Sequence, residues 1–202
     1  MAWRARSLIA WLPAIGFALA LCIPGPGLAQ GERHALLVAK PHLLDPNFRE
    51  TVVVVAEAPN GAAVGVIINR PSTKSLAQIL PGNTTLARFT EPLFFGGPVE
   101  PVGLYAVFRA DEPPGEALRI SGDLWLALNP ATVEQLMKNP PKKLRFFTGY
   151  AGWAPGQLGS ELVRGDWWVL DADPDVAFRA DPSTLWEELA RRARAEIGRA
   201  HV

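Results

Sequence analysis

Hydrophobic positions along the chain fall mostly into short runs separated by glycine and proline, with helical spacing confined to a few windows. His34 to Val38 and Thr51 to Ala56 are compact apolar runs, and Val52-Val53-Val54-Val55 has no polar interruption, as expected of a strand covered on both faces. Asn60-Gly61 then offers a turn whose central residues tolerate positive φ, so Thr51 to Ile68 reads as a hairpin. Leu76, Ile79 and Leu80 have i, i+3, i+4 spacing behind Ser75 and predict a short helix ended by Pro81-Gly82. Leu93 to Phe95, Leu104 to Phe108, Leu144 to Phe147 and Trp167 to Leu170 predict further strands. Asn129-Pro130 opens a helix with Val133, Leu136 and Met137 inward, Pro155 to Val163 predicts another, and Asp181-Pro182 opens the last, with Leu185, Trp186 and Leu189 as its apolar face. Strands and helices interleave irregularly, which points to the α+β class.

The N-terminus departs from this pattern. Arg4 and Arg6 precede an uncharged stretch from Ser7 to Gln30, apolar from Leu8 to Leu21, with small residues at Gly27 and Ala29. That order reads as a secretory signal peptide, residues 1–29, cleaved after Ala29, with Pro24 and Pro26 ending its helix. The apolar run is short for a spanning helix and contains Pro13, so export is favoured over anchoring. Cys22 is the sole cysteine, and Leu21 before it is too large for a lipoprotein signal; the mature chain would hold no disulfide, thiol nucleophile or zinc cluster.

Basic and acidic residues number 20 each, so no bulk field favours nucleic acid, anionic lipid or an acidic substrate. Lys142-Lys143-Leu144-Arg145 and Arg191-Arg192-Ala193-Arg194 are local basic clusters, read as solvated faces without a DNA-binding pattern around them. Asp171-Ala172-Asp173-Pro174-Asp175 imitates the opening of a calcium loop, but Val176 and Pro182 stand where glycine and glutamate are needed, so no metal is expected. Residues 30–202 have the size of one domain.

Candidate chemistry gathers in glycine-rich and polar segments. Gly149 to Gln157 joins a strand to a helix, where unpaired N–H groups could meet a polar ligand, although close packing of helix on sheet explains the glycines equally. It is no phosphate loop, since the lysine is missing. Gly96-Gly97 carries the same ambiguity. Asn69 and Arg70 offer donors suited to a carboxylate or phosphate, against a turn in which Arg70 pairs with an acid such as Asp45. For acid–base work the candidates are His42, Asp45 and Tyr150, in a chain without a nucleophile elbow.

Four segments, Leu43-Leu44-Asp45-Pro46-Asn47-Phe48, Gly65-Val66-Ile67-Ile68-Asn69-Arg70-Pro71, Phe94-Phe95-Gly96-Gly97-Pro98-Val99 and Gly149 to Leu158, together resemble the YqgE/AlgH family. The resemblance runs from about Ala35 to Trp186. It implies an α+β fold with a bifurcated mixed sheet partly closed into a small barrel and surrounded by helices, and a mostly cytoplasmic location. Gly159 departs from the polar or acidic residue frequent there, so no side-chain role is carried to it. The expectation is a non-enzymatic binding or interaction protein, matured in the periplasm or cell envelope, without cofactor or nucleic acid, meeting the membrane only during export unless the signal is retained. Its unknown small ligand or protein partner is expected near Asn69, Arg70, Gly96, Gly97, Gly149, Tyr150, Gly152, Trp153 and Gln157. Alternatives are a small-molecule hydrolase or transferase using His42 and Asp45, and a cytoplasmic transcriptional regulator.

Overall fold

The computed structural model describes residues 35–79, 81–171 and 173–200. The expected signal segment 1–29 lies outside them. Among the described residues the strands are β1 (Ala35–Ala39), β2 (Val52–Glu57), β3 (Ala63–Ile67), β4 (Pro71–Ser75), β5 (Pro92–Phe95), β6 (Val99–Arg109), β7 (Leu118–Ser121), β8 (Leu124–Ala127), β9 (Leu144–Trp153) and β10 (Trp167–Asp171). The helices are α1 (Leu76–Ile79), α2 (Pro130–Lys138), α3 (Gln157–Arg164) and α4 (Leu185–Ala200), with a 3-10 turn at Pro174–Phe178.

The sheet runs β10-β1-β2-β3-β9-β6-β8-β7, with β5 paired to β9 and β4 to β5. Every pairing is antiparallel except β5 with β9. The branch point is β9: β6 lies on one edge, while the other serves first β5, at Phe147 and Thr148, and then β3, from Ala151 to Trp153.

The expected barrel closure is not formed. The path ends at β10 and β7, and among the described residues no ladder joins them. The sheet curls around one shared core instead, with β2 lying against β7. Leu36, Val54, Phe94, Val107, Leu126 and Phe147 meet in that core, and Ala177 and Leu185 from the C-terminal segment also fill it. After β10 the 3-10 turn crosses to the far side, where Asp175 pairs with Arg109 and the Ala177 carbonyl accepts from Arg145. Ala177 of this segment is buried in the shared core, with Val176 and Phe178 packed against it.

The uninterrupted valine run has the burial expected of it, because Val52, Val53, Val54 and Val55 are all buried. Val52 and Val54 face the shared core, whereas Val53 and Val55 face a second cluster with Trp153 and Trp167, covered by Leu158 and Leu162 of α3. On the other half of the sheet, α2 places Val133 and Leu136 against Ala106, Phe108 and Phe146. Its N-cap is Asn129, whose side chain accepts from the Ala131 N–H, with Pro130 at the first turn.

Predicted boundaries move at the glycine motif and at the last helix, among others. β9 continues through Gly149 to Trp153, so the glycine motif is strand rather than loop, because its edges stay paired to Val99 and to β3. The last helix begins at Leu185 rather than Pro182; Asp181 accepts from Ser183 N–H in a preceding turn.

Candidate functional site

The sheet's fork explains the glycines. Gly96 N–H donates to the Thr148 carbonyl at 2.8 Å, and Ile67 N–H donates to the Gly96 carbonyl at 2.9 Å, so Gly96 stitches β3 to β9 where β5 leaves off. Three backbones meet there. A Cβ on Gly96 would strike the Gly149 carbonyl oxygen, one on Gly97 would strike the Tyr150 backbone, and one on Gly149 would strike the Gly97 carbonyl oxygen. Gly97 has φ 154° and Gly149 φ 66°, a second reason for glycine at both.

Beyond the fork, Tyr150 meets Tyr105 edge to face with ring centroids 5.3 Å apart, and Tyr105 donates to Glu100 Oε2 at 2.5 Å. Burial, and then the bond to Glu100, push the Tyr105 hydroxyl far above its ordinary pKa; burial followed by the charge of Glu100 pushes Tyr150 up. Glu100 sits at φ 46°, where the β6 register shifts between Val99 and Leu104.

Asn69 and Arg70 form a latch on the loop between β1 and β2. Asn69 Oδ1 accepts from Val52 N–H and its amide donates to the Glu50 carbonyl, both at 2.9 Å. Arg70 donates to the carbonyls of Asn47 at 2.7 Å, Arg49 at 3.0 Å and Pro46 at 3.4 Å. Backbone carbonyls, rather than the Asp45 carboxylate, are its hydrogen-bond acceptors. Burial first, and then Arg49, lower its pKa, against Asp45 and Glu50. Asp45 accepts from Asn47 N–H at 2.7 Å, while His42, 61% exposed, has its Nε2 3.9 Å from Asp166. His42 and Asp45 are each held in other contacts.

Trp153 and Gln157 converge on a residue that sequence reasoning passed over. Glu161 Oε2 accepts from the indole N–H groups of Trp153 and Trp167, each at 2.9 Å, and its Oε1 accepts from Gln157 at 3.1 Å. Phe48 packs on both indoles, with centroids at 6.1 and 5.8 Å. The helical spacing Gln157–Glu161 was the available signal, since i and i+4 share a face. Gly152, in contrast, is exposed on β9.

A cavity of about 250 Å³ opens elsewhere, between the segment 88–93 and the start of β9. Arg88, Phe89, Glu91, Lys142, Arg145 and Phe146 are among its walls. Arg145 belonged to a cluster expected to be solvated, yet it is 5% exposed. Strand alternation gives the reason: Arg145 shares a face with Phe147, and its guanidinium stacks on Phe94 at 4.3 Å. Arg88 donates to the Met137 and Lys138 carbonyls at the end of α2. The arginine-rich helix is also divided: Arg192 pairs with Glu196 at 2.8 Å, and Arg194 lies over Trp168 at 5.3 Å. Among the described residues no three His, Cys, Asp or Glu side chains gather to hold a metal, and no helix is long and apolar enough to cross a membrane.

The profile described as AlgH-like matches residues 36–198, most of this chain. The chain belongs to the AlgH-like family. A UPF0301 protein of Streptomyces avermitilis is 38% identical over 168 residues, covering 80% of this chain and 86% of the relative. The solution structure of the AlgH protein from Pseudomonas aeruginosa superposes with a TM-score of 0.63 at 28% identity, covering 83% of this chain and 92% of that one. A crystal structure from Corynebacterium diphtheriae gives a TM-score of 0.63 at 27% identity, over 79% and 85% of the two chains. The four motifs of this AlgH-like chain thus hold a fork, a loop latch and a helix dock, and the cavity beside Arg145 is lined largely by other residues.

Proposed function

We propose that this AlgH-like chain is a non-enzymatic binding protein, exported and matured after Ala29, whose motif residues serve as scaffold and whose ligand is met at the cavity beside β9. The observation that carries this reading is the cavity of about 250 Å³ beside the start of β9, bordered among the described residues by Arg88, Lys142 and Arg145 and by one acid, Glu91. The proposed acid–base pair has no such support, because His42 is turned to Asp166 and Asp45 to its own turn.

Native intact mass of the protein isolated from its own cells tests the reading. A chain beginning at Gln30 with extra mass from a retained small molecule is the expected result. A chain beginning at Met1 or near Ala35 would overturn export and return a cytoplasmic role. Turnover of a small-molecule ester or amide, abolished by His42→Ala, would overturn the non-enzymatic reading.

A further inference from the structure

Among the described residues the branched sheet ends in β10, β7 and β4. An open strand edge pairs readily with another chain unless something blunts it. β7 is blunted, because its ladder shifts register between Arg119 and Ser121 and β2 lies against it. β4 carries Pro71 and Lys74. β10 has no such guard: Trp167-Trp168-Val169-Leu170-Asp171 contains no proline or lysine, and its register against β1 runs unshifted from Asp171 to Trp167.

One bond fixes which way its backbone points. Lys40 N–H donates to the Asp166 carbonyl at 2.9 Å. Alternate residues of an antiparallel strand turn toward a given neighbour, so Trp168 and Leu170 face β1 as Asp166 does. Trp167, Val169 and Asp171 therefore turn their N–H and C=O groups outward, where no strand pairs with them among the described residues.

This outward set is symmetric about Val169. A second β10 laid antiparallel, with Val169 opposite Val169, sets Trp167 against Asp171 and matches each outward N–H with an outward carbonyl. Val169 is 53% exposed, and the two valines would cover one another as a cross-strand pair. Charge selects the same direction. Lys40 Nζ lies beside Gly165 at the start of β10, and exposed Asp171 ends it; neither has an ion pair among the described residues. Antiparallel pairing sets opposite charges at each end of the interface, whereas parallel pairing would set like charges together.

We propose that the chain self-associates through β10, antiparallel to β10 of a second copy and centred on Val169, so that one sheet continues across a twofold axis. This goes beyond the ligand-cavity reading and does not depend on it. A single strand pair buries little area, so the dimer is weak and forms with rising concentration.

The test is sedimentation of the full chain isolated from its own cells, from about 1 μM to about 1 mM, with amide hydrogen exchange across the same range. Dimer is expected to grow with concentration while the amides of Trp167, Val169 and Asp171 become protected together. Val169→Lys and Val169→Glu change an exposed side chain and leave the β1 ladder in place, which circular dichroism checks. Each puts like charges on the twofold axis and is expected to weaken self-association at least about tenfold. Mixing the two variants is expected to restore it, since lysine then faces glutamate. A chain that stays monomeric at about 1 mM overturns the proposal. So does a dimer that both variants leave unchanged, protection confined to other residues, or a mixture that associates no better than either variant alone.

Discussion

Tyr105 and Tyr150 are the two tyrosines of this chain, and both lie in one cluster with Glu100. Burial raises both hydroxyl pKa values, and Glu100 raises them further. A raised folded pKa means the protonated form is favoured by folding, so the contribution is complete below the unfolded value, about 10, and is lost as pH rises through the folded value. Tyrosinate absorbance is therefore expected to stay absent in the folded chain through about pH 10 and to emerge near that pH in urea. Normal titration of the folded chain would contradict the cluster. Arg70 makes a second residue-scale case. Arg70→Ala removes three carbonyl contacts on the 46–49 backbone and is expected to cost about 1–3 kcal/mol in urea unfolding, with faster hydrogen exchange at residues 45–52. Unchanged exchange there would mean the latch does not hold the loop.

At the scale of elements, α3 and α4 are held by different physics. α3 starts at Gly156 in a left-handed conformation with no side-chain cap, and its place is set by Glu161 under two indoles. α4 is entered through the Asp181 turn and tied by Glu188 to Arg179 at 2.7 Å and to Thr184 at 2.6 Å. Bonds from Ser183 lower the Asp181 pKa, and those from Arg179 and then Thr184 lower that of Glu188. A depressed folded pKa gives stability that is present above the ordinary carboxylate range and lost as pH falls through the folded values. The double variant Asp181→Asn, Glu188→Gln is expected to be less stable at about pH 7 and to lose less than the wild type between about pH 5 and 3, read from urea midpoints. Parallel losses in the two proteins would show that these carboxylates do not carry the acid response.

For the whole molecule, the decisive feature is a core shared by both halves of a branched sheet. Strands β1, β2, β6, β8 and β9 all send side chains into it, along with α4. No half can open without exposing the other, so tryptophan fluorescence and far-ultraviolet circular dichroism are expected to report one coincident urea transition. A separate early loss of either signal would mean that the halves fold apart. β9 binds the halves together because it serves three partner strands, and local glycine chemistry makes that possible.

The sequence alone was enough for elements whose causes are local. Asn129-Pro130 caps α2, Asn60-Gly61 turns the β2–β3 hairpin, and the valine run is buried on both faces, because capping, turn geometry and period-two burial act over a few residues. It also determined the family, through four motifs that persist in order. Tertiary structure decided what those motifs do. Gly96 is small because Gly149, some fifty residues later, passes over it; Asn69 and Arg70 hold a loop that precedes them; Glu161 answers two tryptophans on different strands. Arg145 looked like part of a solvated basic run, and pairing between β6 and β9 buried it. Spacing along a chain records which residues share a face, but hydrogen-bond partners and burial are fixed only when distant strands choose their register.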